Sequence, residues 1–230
     1  MNLYFLVEGK TERKLYPAWL SVLLPNFQRV NIAAQATQQT YYLISSNGYP
    51  GLLDVTLPDA IDDILDVNRY DYLVIVLDAD EVSVSERRQE VEKRLASYTL
   101  GRCRPHIVVQ NCCLESWLLG NRTVFSRQPA NPDLRDCVTF YDVYNDDPEL
   151  MLKPTPFTGS IAAYHFKYLQ LMLKARRIQY NKKDPRDTAE PYYLQQLQER
   201  VAQTPTHLHT LQSFLAFCRQ VEQENGLSSW

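Results

Sequence analysis

At 230 residues, 45% hydrophobic and 22% charged, the chain has the length and composition of a globular protein with a sizeable core. A net charge of −3 excludes a nucleic-acid grip that rests on global charge, so such binding would need a local basic patch or a metal ion. No apolar run approaches the roughly 20 residues of a membrane span, and Leu3–Val7 is too short for a signal-peptide core, so a cytoplasmic protein without membrane contact is expected.

Residues 2–7 read as a buried strand that breaks abruptly at Glu8 and Gly9. Thr11 then opens a helix with Leu15, Trp19, Val22 and Leu23 at helical spacing and Pro25 past its end. Gly9 lets backbone amides approach an anion, and Lys10 and Arg13 stand where they either touch a phosphate or form solvated surface. Phe27–Ala34 and Thr40–Ser45 read as two further strands, followed by a turn over Asn47–Gly51. Pro58–Val67 is an amphipathic helix through Ile61, Ile64 and Leu65, with Asp59, Asp62, Asp63 and Asp66 on a solvated face. The apolar run Tyr72–Leu77 is a second buried strand, and it breaks into Asp78-Ala79-Asp80-Glu81. A charged helix over Ser83–Tyr98 follows, with Val84, Val91 and Leu95 as its apolar stripe.

Pro105–Gln110 is another buried strand, leading into Asn111-Cys112-Cys113-Leu114-Glu115-Ser116-Trp117-Leu118-Leu119. Glu115 is the lone carboxylate of this apolar stretch; such a group caps a helix, pairs with an arginine or ligates a metal, because burial without a partner is costly. The five cysteines include an adjacent pair and no C-x-x-C spacing, which argues against a disulfide framework or a zinc site. Cys112 and Cys113 read as small core residues, since no paired histidine is visible. Residues 121–158, rich in Pro and Asp, read as an irregular insertion. A helix over 160–178 ends in Lys174, Arg176, Arg177, Lys182 and Lys183, with Tyr180 among them. Basic residues interleaved with an aromatic suit a phosphate backbone and a stacked base; the competing reading is a helix end complementing its own dipole. Helices over Pro191–Ala202 and His207–Glu224 close the chain, and the scattered His165, His207 and His209 argue against a histidine metal site.

The pattern predicts an α/β fold with a mostly parallel, Rossmann-like sheet flanked by helices and a helical C-terminal part. In such sheets ligands sit beyond the carboxyl ends of the strands. Two adjacent strands would bring Glu8, Asp78 and Asp80 to one rim, Asp78 and Asp80 on the same side if the strand stays extended. Three carboxylates so close repel unless protons or a divalent cation offset the charge, and hard oxygen ligands suit Mg²⁺. Glu12, one helical turn beyond Glu8, reaches the same cavity. The chain contains no G-x-x-x-x-G-K-[ST] loop for nucleotide hydrolysis.

Glu8-Gly9 after the first strand, the acid Glu12 four residues on, Asp78-x-Asp80 after a later strand, and the 111–119 block together resemble the TOPRIM family. The nuclease branch, with its overcoming-lysogenization-defect and small stand-alone members of phage-defence loci, is the nearest likeness. The resemblance spans residues 1–120 and implies a TOPRIM-like catalytic domain, with 121–230 as an irregular insertion and helical region packed on it. It further implies hydrolysis of nucleic-acid phosphodiesters, of DNA or tRNA, in anti-phage defence, with a separate ABC- or SMC-type ATPase as a possible partner. Glu8, Asp78 and Asp80 are then the catalytic set, one or two Mg²⁺ or Mn²⁺ ions fall to Glu8, Glu12, Asp78, Asp80 and Glu115, and Lys10 with the 174–183 cluster contacts nucleic acid. Competing readings are a TOPRIM-like scaffold that binds nucleic acid or a partner without cutting, a haloacid-dehalogenase-like phosphatase built on Asp78, Asp80 and Val82, and a nucleotide-sugar glycosyltransferase. The last leaves Glu8-Gly9 unexplained.

Overall fold

Strands that are apolar on both faces need cover on both faces, and parallel sheets are where such strands are found. The computed structural model describes residues 1–226 and builds one five-stranded, all-parallel sheet in the order β2-β3-β1-β4-β5. The strands are β1 (Asn2–Val7), β2 (Gln28–Val30), β3 (Thr40–Ser45), β4 (Tyr72–Asp78) and β5 (Arg104–Gln110). Every residue of β1 is buried, as is every residue of β4 before Asp78. Their side chains divide by period two. Leu3, Phe5 and Val7 join Tyr72, Val74 and Val76 in one core, while Tyr4, Leu6, Leu73, Ile75 and Leu77 join the other.

The helices are α1 (Glu12–Leu23), α2 (Leu57–Val67), α3 (Val84–Leu95), α4 (Leu114–Leu118), α5 (Pro132–Phe140), α6 (Ile161–Ala175), α7 (Pro191–Gln203) and α8 (His209–Glu224). Leu57, Ile61 and Ile64 of α2 and Val91 of α3 cover one face. On the other face Leu15, Tyr16 and Trp19 of α1 share a single continuous core with Trp117 and with residues of α6, α7 and α8. Residues 121–226 therefore pack on the sheet rather than beside it. Arg200 of α7 is sealed inside this half, where its guanidinium donates to the carbonyls of Gly120, Val143 and Asp146 at 3.2, 2.6 and 2.8 Å. No helix among the described residues is long and apolar enough to cross a membrane.

Two elements differ from the sequence reading. Only Gln28–Val30 of the expected Phe27–Ala34 strand pairs, because it is an edge strand with β3 as its sole partner, and Ala33–Gln35 turns into a 3₁₀ helix. The 121–158 stretch is not wholly irregular. It contains α5, whose start is fixed by the Asn131 side chain accepting from the Leu134 N–H at 3.1 Å and by Pro132 in the first turn.

The chain leaves β1 toward β2 on one side of the sheet and leaves β4 toward β5 on the other. The crevice between the carboxyl ends of β1 and β4 is thus the topological switch point, the usual ligand position in such sheets. Trp19 is fully buried in the shared core and its indole N–H donates to the Thr188 carbonyl at 3.2 Å. Trp19→Ala should cost about 3–5 kcal/mol. Urea unfolding followed by far-UV dichroism and by tryptophan fluorescence should give one coincident transition for wild type; two separate transitions would mean that the halves do not share a core.

Candidate active site

Register places the first acid. Val7 lies opposite Val76, so Glu8 emerges beside the last residues of β4. Its carboxylate accepts the Asp78 N–H at 3.0 Å and the Tyr49 N–H, from the loop after β3, at 3.3 Å. Gly9 then allows Glu12 to fold back, since a Cβ there would stand 2.7 Å from Glu12 Oε2. Glu12 opens α1, where the helix N-terminus favours a negative charge, yet it is only 7% exposed. Asp78 ends β4, and its Oδ1 is shut off from solvent with no hydrogen-bond partner among the described residues. Glu115, in the first turn of α4, is buried and accepts the Tyr180 hydroxyl at 2.8 Å, with Lys182 Nζ at 4.0 Å.

Glu8, Glu12, Asp78 and Glu115 line one open cavity of about 550 Å³, together with Lys10, Lys182 and Lys183. The Thr11 hydroxyl donates to the Lys182 carbonyl, tying the lysine-bearing turn to the start of α1. Crowding and burial act together on these acids. Burial, then the charges of Glu115 and Glu8, push Glu12 up to about 7, against the opposing pull of Lys182. Asp78 is raised well above the usual carboxylate range by burial and by Glu12, Glu8 and Glu115. Burial also raises Glu8, against the N–H bond from Asp78. Three acids that resist ionisation, one with an unpartnered oxygen, share the cavity with the Glu115 carboxylate and make a donor set suited to a hard divalent cation.

The remaining expected residues divide. The extended backbone assumed for Asp80 ends at Asp78; Asp80 takes φ 56 and is exposed, so it does not line the cavity. It stands at the rim, 3.7 Å from Arg87 Nη2, close enough for its charge to help raise Glu8. Arg87 lies 3.9 Å over the ring of Tyr49, whose N–H holds Glu8. The basic cluster also splits. Lys182 and Lys183 face the carboxylates, whereas Lys174 and Arg177 line a separate groove of about 900 Å³ with Lys167 and Arg186. Arg176 donates to the carbonyls of Val124 and Phe125 at 3.3 and 2.6 Å. Tyr180 is buried against Glu115 rather than offered to a base.

Sequence reasoning missed three partners. Tyr180 as the support of Glu115 and Arg87 as the neighbour of Asp80 lie 65 and 7 positions from the groups they hold, with no spacing rule to link them. The third is His165. The reading of Cys112 and Cys113 as cysteines without a histidine is overturned, because His165 Nδ1 stands 3.8 Å from Cys113 Sγ. A lone imidazole among the buried aromatic and apolar residues Tyr164, Tyr168, Leu169, Met172 and Leu173 of α6 was the available signal. No family model, no curated protein and no solved structure matches this chain.

A raised carboxylate pKa means that the folded state holds its proton longer than the unfolded chain. For Glu12 the stabilising contribution is full below the ordinary value of 4.5 and is lost as pH rises through about 7. In metal-free buffer with EDTA, Glu12→Gln should be more stable than wild type at pH 8, by up to about 3 kcal/mol, and nearly equal to it at pH 4.5. Urea unfolding at the two pH values measures this; identical pH dependence in the two proteins would show that Glu12 is not held against its charge.

Proposed function

We propose that the protein is a metal-dependent nuclease that hydrolyses phosphodiester bonds in DNA or RNA. The observation that carries this reading is the meeting of Glu8, Glu12, Asp78 and Glu115 with Lys182 and Lys183 in one cavity at the switch point of the sheet. Acids alone would suit a cation and lysines alone a phosphate. Together they suit a phosphate bound through a cation. Glu8 and Asp78 would hold one Mg²⁺ or Mn²⁺, and Glu12 and Glu115 are placed for a second, with Asp80 at the rim. When bound, such an ion supplies Lewis-acid polarisation of the phosphoryl oxygen and lowers the pKa of an attacking water.

The chain's own groups do the rest. Glu8, held by two backbone N–H bonds, is oriented as a fixed acceptor. In the metal-free site Glu12 holds its proton up to about 7, so a cation bound there would displace that proton. Lys182 and Lys183 offset charge on the phosphate, and Lys10 stands at the same mouth. Lys174 and Arg177 line a separate groove with Lys167 and Arg186, and a second basic surface suits a polyanion better than a small phosphomonoester. The resemblance of residues 1–120 to TOPRIM nucleases extends the proposal to anti-phage defence and to a separate ATPase partner of ABC or SMC type.

Purified protein incubated with plasmid, single-stranded DNA or total tRNA should cleave at least one of them with Mg²⁺ or Mn²⁺ and none with EDTA. Asp78→Asn should lower cleavage by more than about 100-fold and abolish the rise in melting temperature that Mn²⁺ gives wild type. Full cleavage by the folded variant, free of contaminating nuclease, would refute the assignment.

The groove generates its own expectation. Reversing Lys174 and Arg177 to Glu should weaken binding to a non-cleaved oligonucleotide and reduce the slope of log K against log salt by up to about 2. An unchanged slope would leave these residues as solvated surface.

A further inference from the structure

Behind the acidic rim, and outside it, three soft ligands meet. Cys112, Cys113 and His165 bring two thiol sulfurs and a ring nitrogen within 4.8 Å of one another, all three side chains buried. Adjacent residues of an extended strand would point their thiols to opposite faces. Cys112 takes φ 62, and this left-handed kink between β5 and α4 turns both toward α6. There the His165 ring is already oriented: Nε2 donates to the Met151 carbonyl at 2.7 Å, which leaves Nδ1 as the lone-pair nitrogen facing the sulfurs. Metal-bound histidines are held by this same second hydrogen bond.

We infer that Cys112, Cys113 and His165 form a zinc site distinct from the carboxylate cavity. The Cys113–His165 edge agrees with tetrahedral coordination. Bonds of about 2.3 Å to sulfur and about 2.0 Å to nitrogen set a sulfur-to-nitrogen edge of about 3.6 Å, and Cys113 Sγ lies 3.8 Å from His165 Nδ1. Ser116 Oγ stands 3.0 Å from Nδ1 and 3.9 Å from Cys113 Sγ. Its proton goes to the Asn111 carbonyl at 2.7 Å, so its lone pairs remain for the fourth position. Charge selects the ion. Two thiolates and a neutral imidazole carry two negative charges, which a divalent ion cancels and a monovalent one does not; an uncancelled charge at residues 6%, 1% and 0% exposed would be costly. The ion would pin α6 to the turn whose Cys112 carbonyl accepts the Asp80 N–H at 2.8 Å, and so brace the acidic rim.

Cobalt reports thiolate ligation directly. The full chain, stripped of metal and kept reduced with a phosphine, should bind one Co²⁺ that gives a sulfur-to-metal charge-transfer band in the near-ultraviolet and tetrahedral ligand-field bands in the visible. Zn²⁺ should bleach both. Cys113→Ser and His165→Gln should lose or strongly weaken the bands, while Asp78→Asn and Glu12→Gln should keep them, which separates this site from the carboxylates whatever becomes of nuclease activity. A wild-type chain that is folded by circular dichroism and shows no charge-transfer band at saturating Co²⁺ would overturn the inference, even if the cysteine variants do not fold. A band retained in the Cys112→Ser, Cys113→Ser double variant would overturn it as well.

Discussion

Like charges held together at the end of a parallel sheet are the constraint on which the rest of this structure depends. Glu8, Glu12, Asp78 and Glu115 share one cavity, and burial adds to their mutual repulsion. At an effective dielectric of about 20, two such charges some 5 Å apart repel by about 3 kcal/mol. Nothing local to the loops could hold them against that. The register of β1 and β4 does so for Glu8 and Asp78, since both strands are locked by apolar side chains on both faces and these two acids ride on their ends. The same register lets Asp78 offer its own N–H to the Glu8 carboxylate, so one acid's backbone steadies the next acid's charge.

The C-terminal half is more than a cover for the sheet. Tyr180 supports Glu115, and the following turn supplies Lys182 and Lys183 to the cavity. Thr11, at the opening of α1, holds that turn through the Lys182 carbonyl. Glu8 and Asp78 come from strand ends and Glu12 and Glu115 from the first turns of α1 and α4, whereas two of the three lysines at the cavity come from beyond α6. A division near residue 120 describes the order of the chain but cuts through the site, and the continuous core from Leu3 to Val221 explains why the two contributions can be held in fixed relation.

Much of the sheet was legible because burial on both faces leaves an unmistakable apolar run: β1, β3, β4 and β5 fall where those runs are. The Glu8–Asp78 neighbourhood followed from strand ends alone. Other features were hidden for definite reasons. β2 has two exposed residues of three and one pairing partner, so its sequence carries little of the sheet's signature. Asp80 was placed by a period-two rule that stops when the backbone turns left-handed, and a residue other than glycine announces no such turn. Tyr180 looked like an exposed stacking platform among lysines and arginines; it is instead part of the core, with its hydroxyl on Glu115, 65 positions away. His165 meets its cysteines 52 and 53 positions along the chain, a juxtaposition made only when α6 packs on α4.

The rim shows how the charge of the cavity is balanced unequally on its two sides. On one side Lys182 and Lys183 are exposed and hold no acid tightly, Lys182 Nζ being 4.0 Å from Glu115. On the other, Arg87 is buried and both its terminal nitrogens are engaged: Glu90 at 2.7 Å, the Ala79 carbonyl at 3.3 Å and Asp80 at 3.7 Å, with the Tyr49 ring beneath the guanidinium. A guanidinium so occupied has little left for a ligand. It acts instead on the geometry, because Tyr49 carries the N–H that orients Glu8, and Ala79 and Asp80 follow directly on Asp78. Arg87 therefore links Asp80 to Glu8 without touching Glu8, and fixes the wall of the cavity from outside. The exposed lysines stand at the mouth of the cavity, and the buried arginine stands behind the wall that carries Glu8 and Asp78.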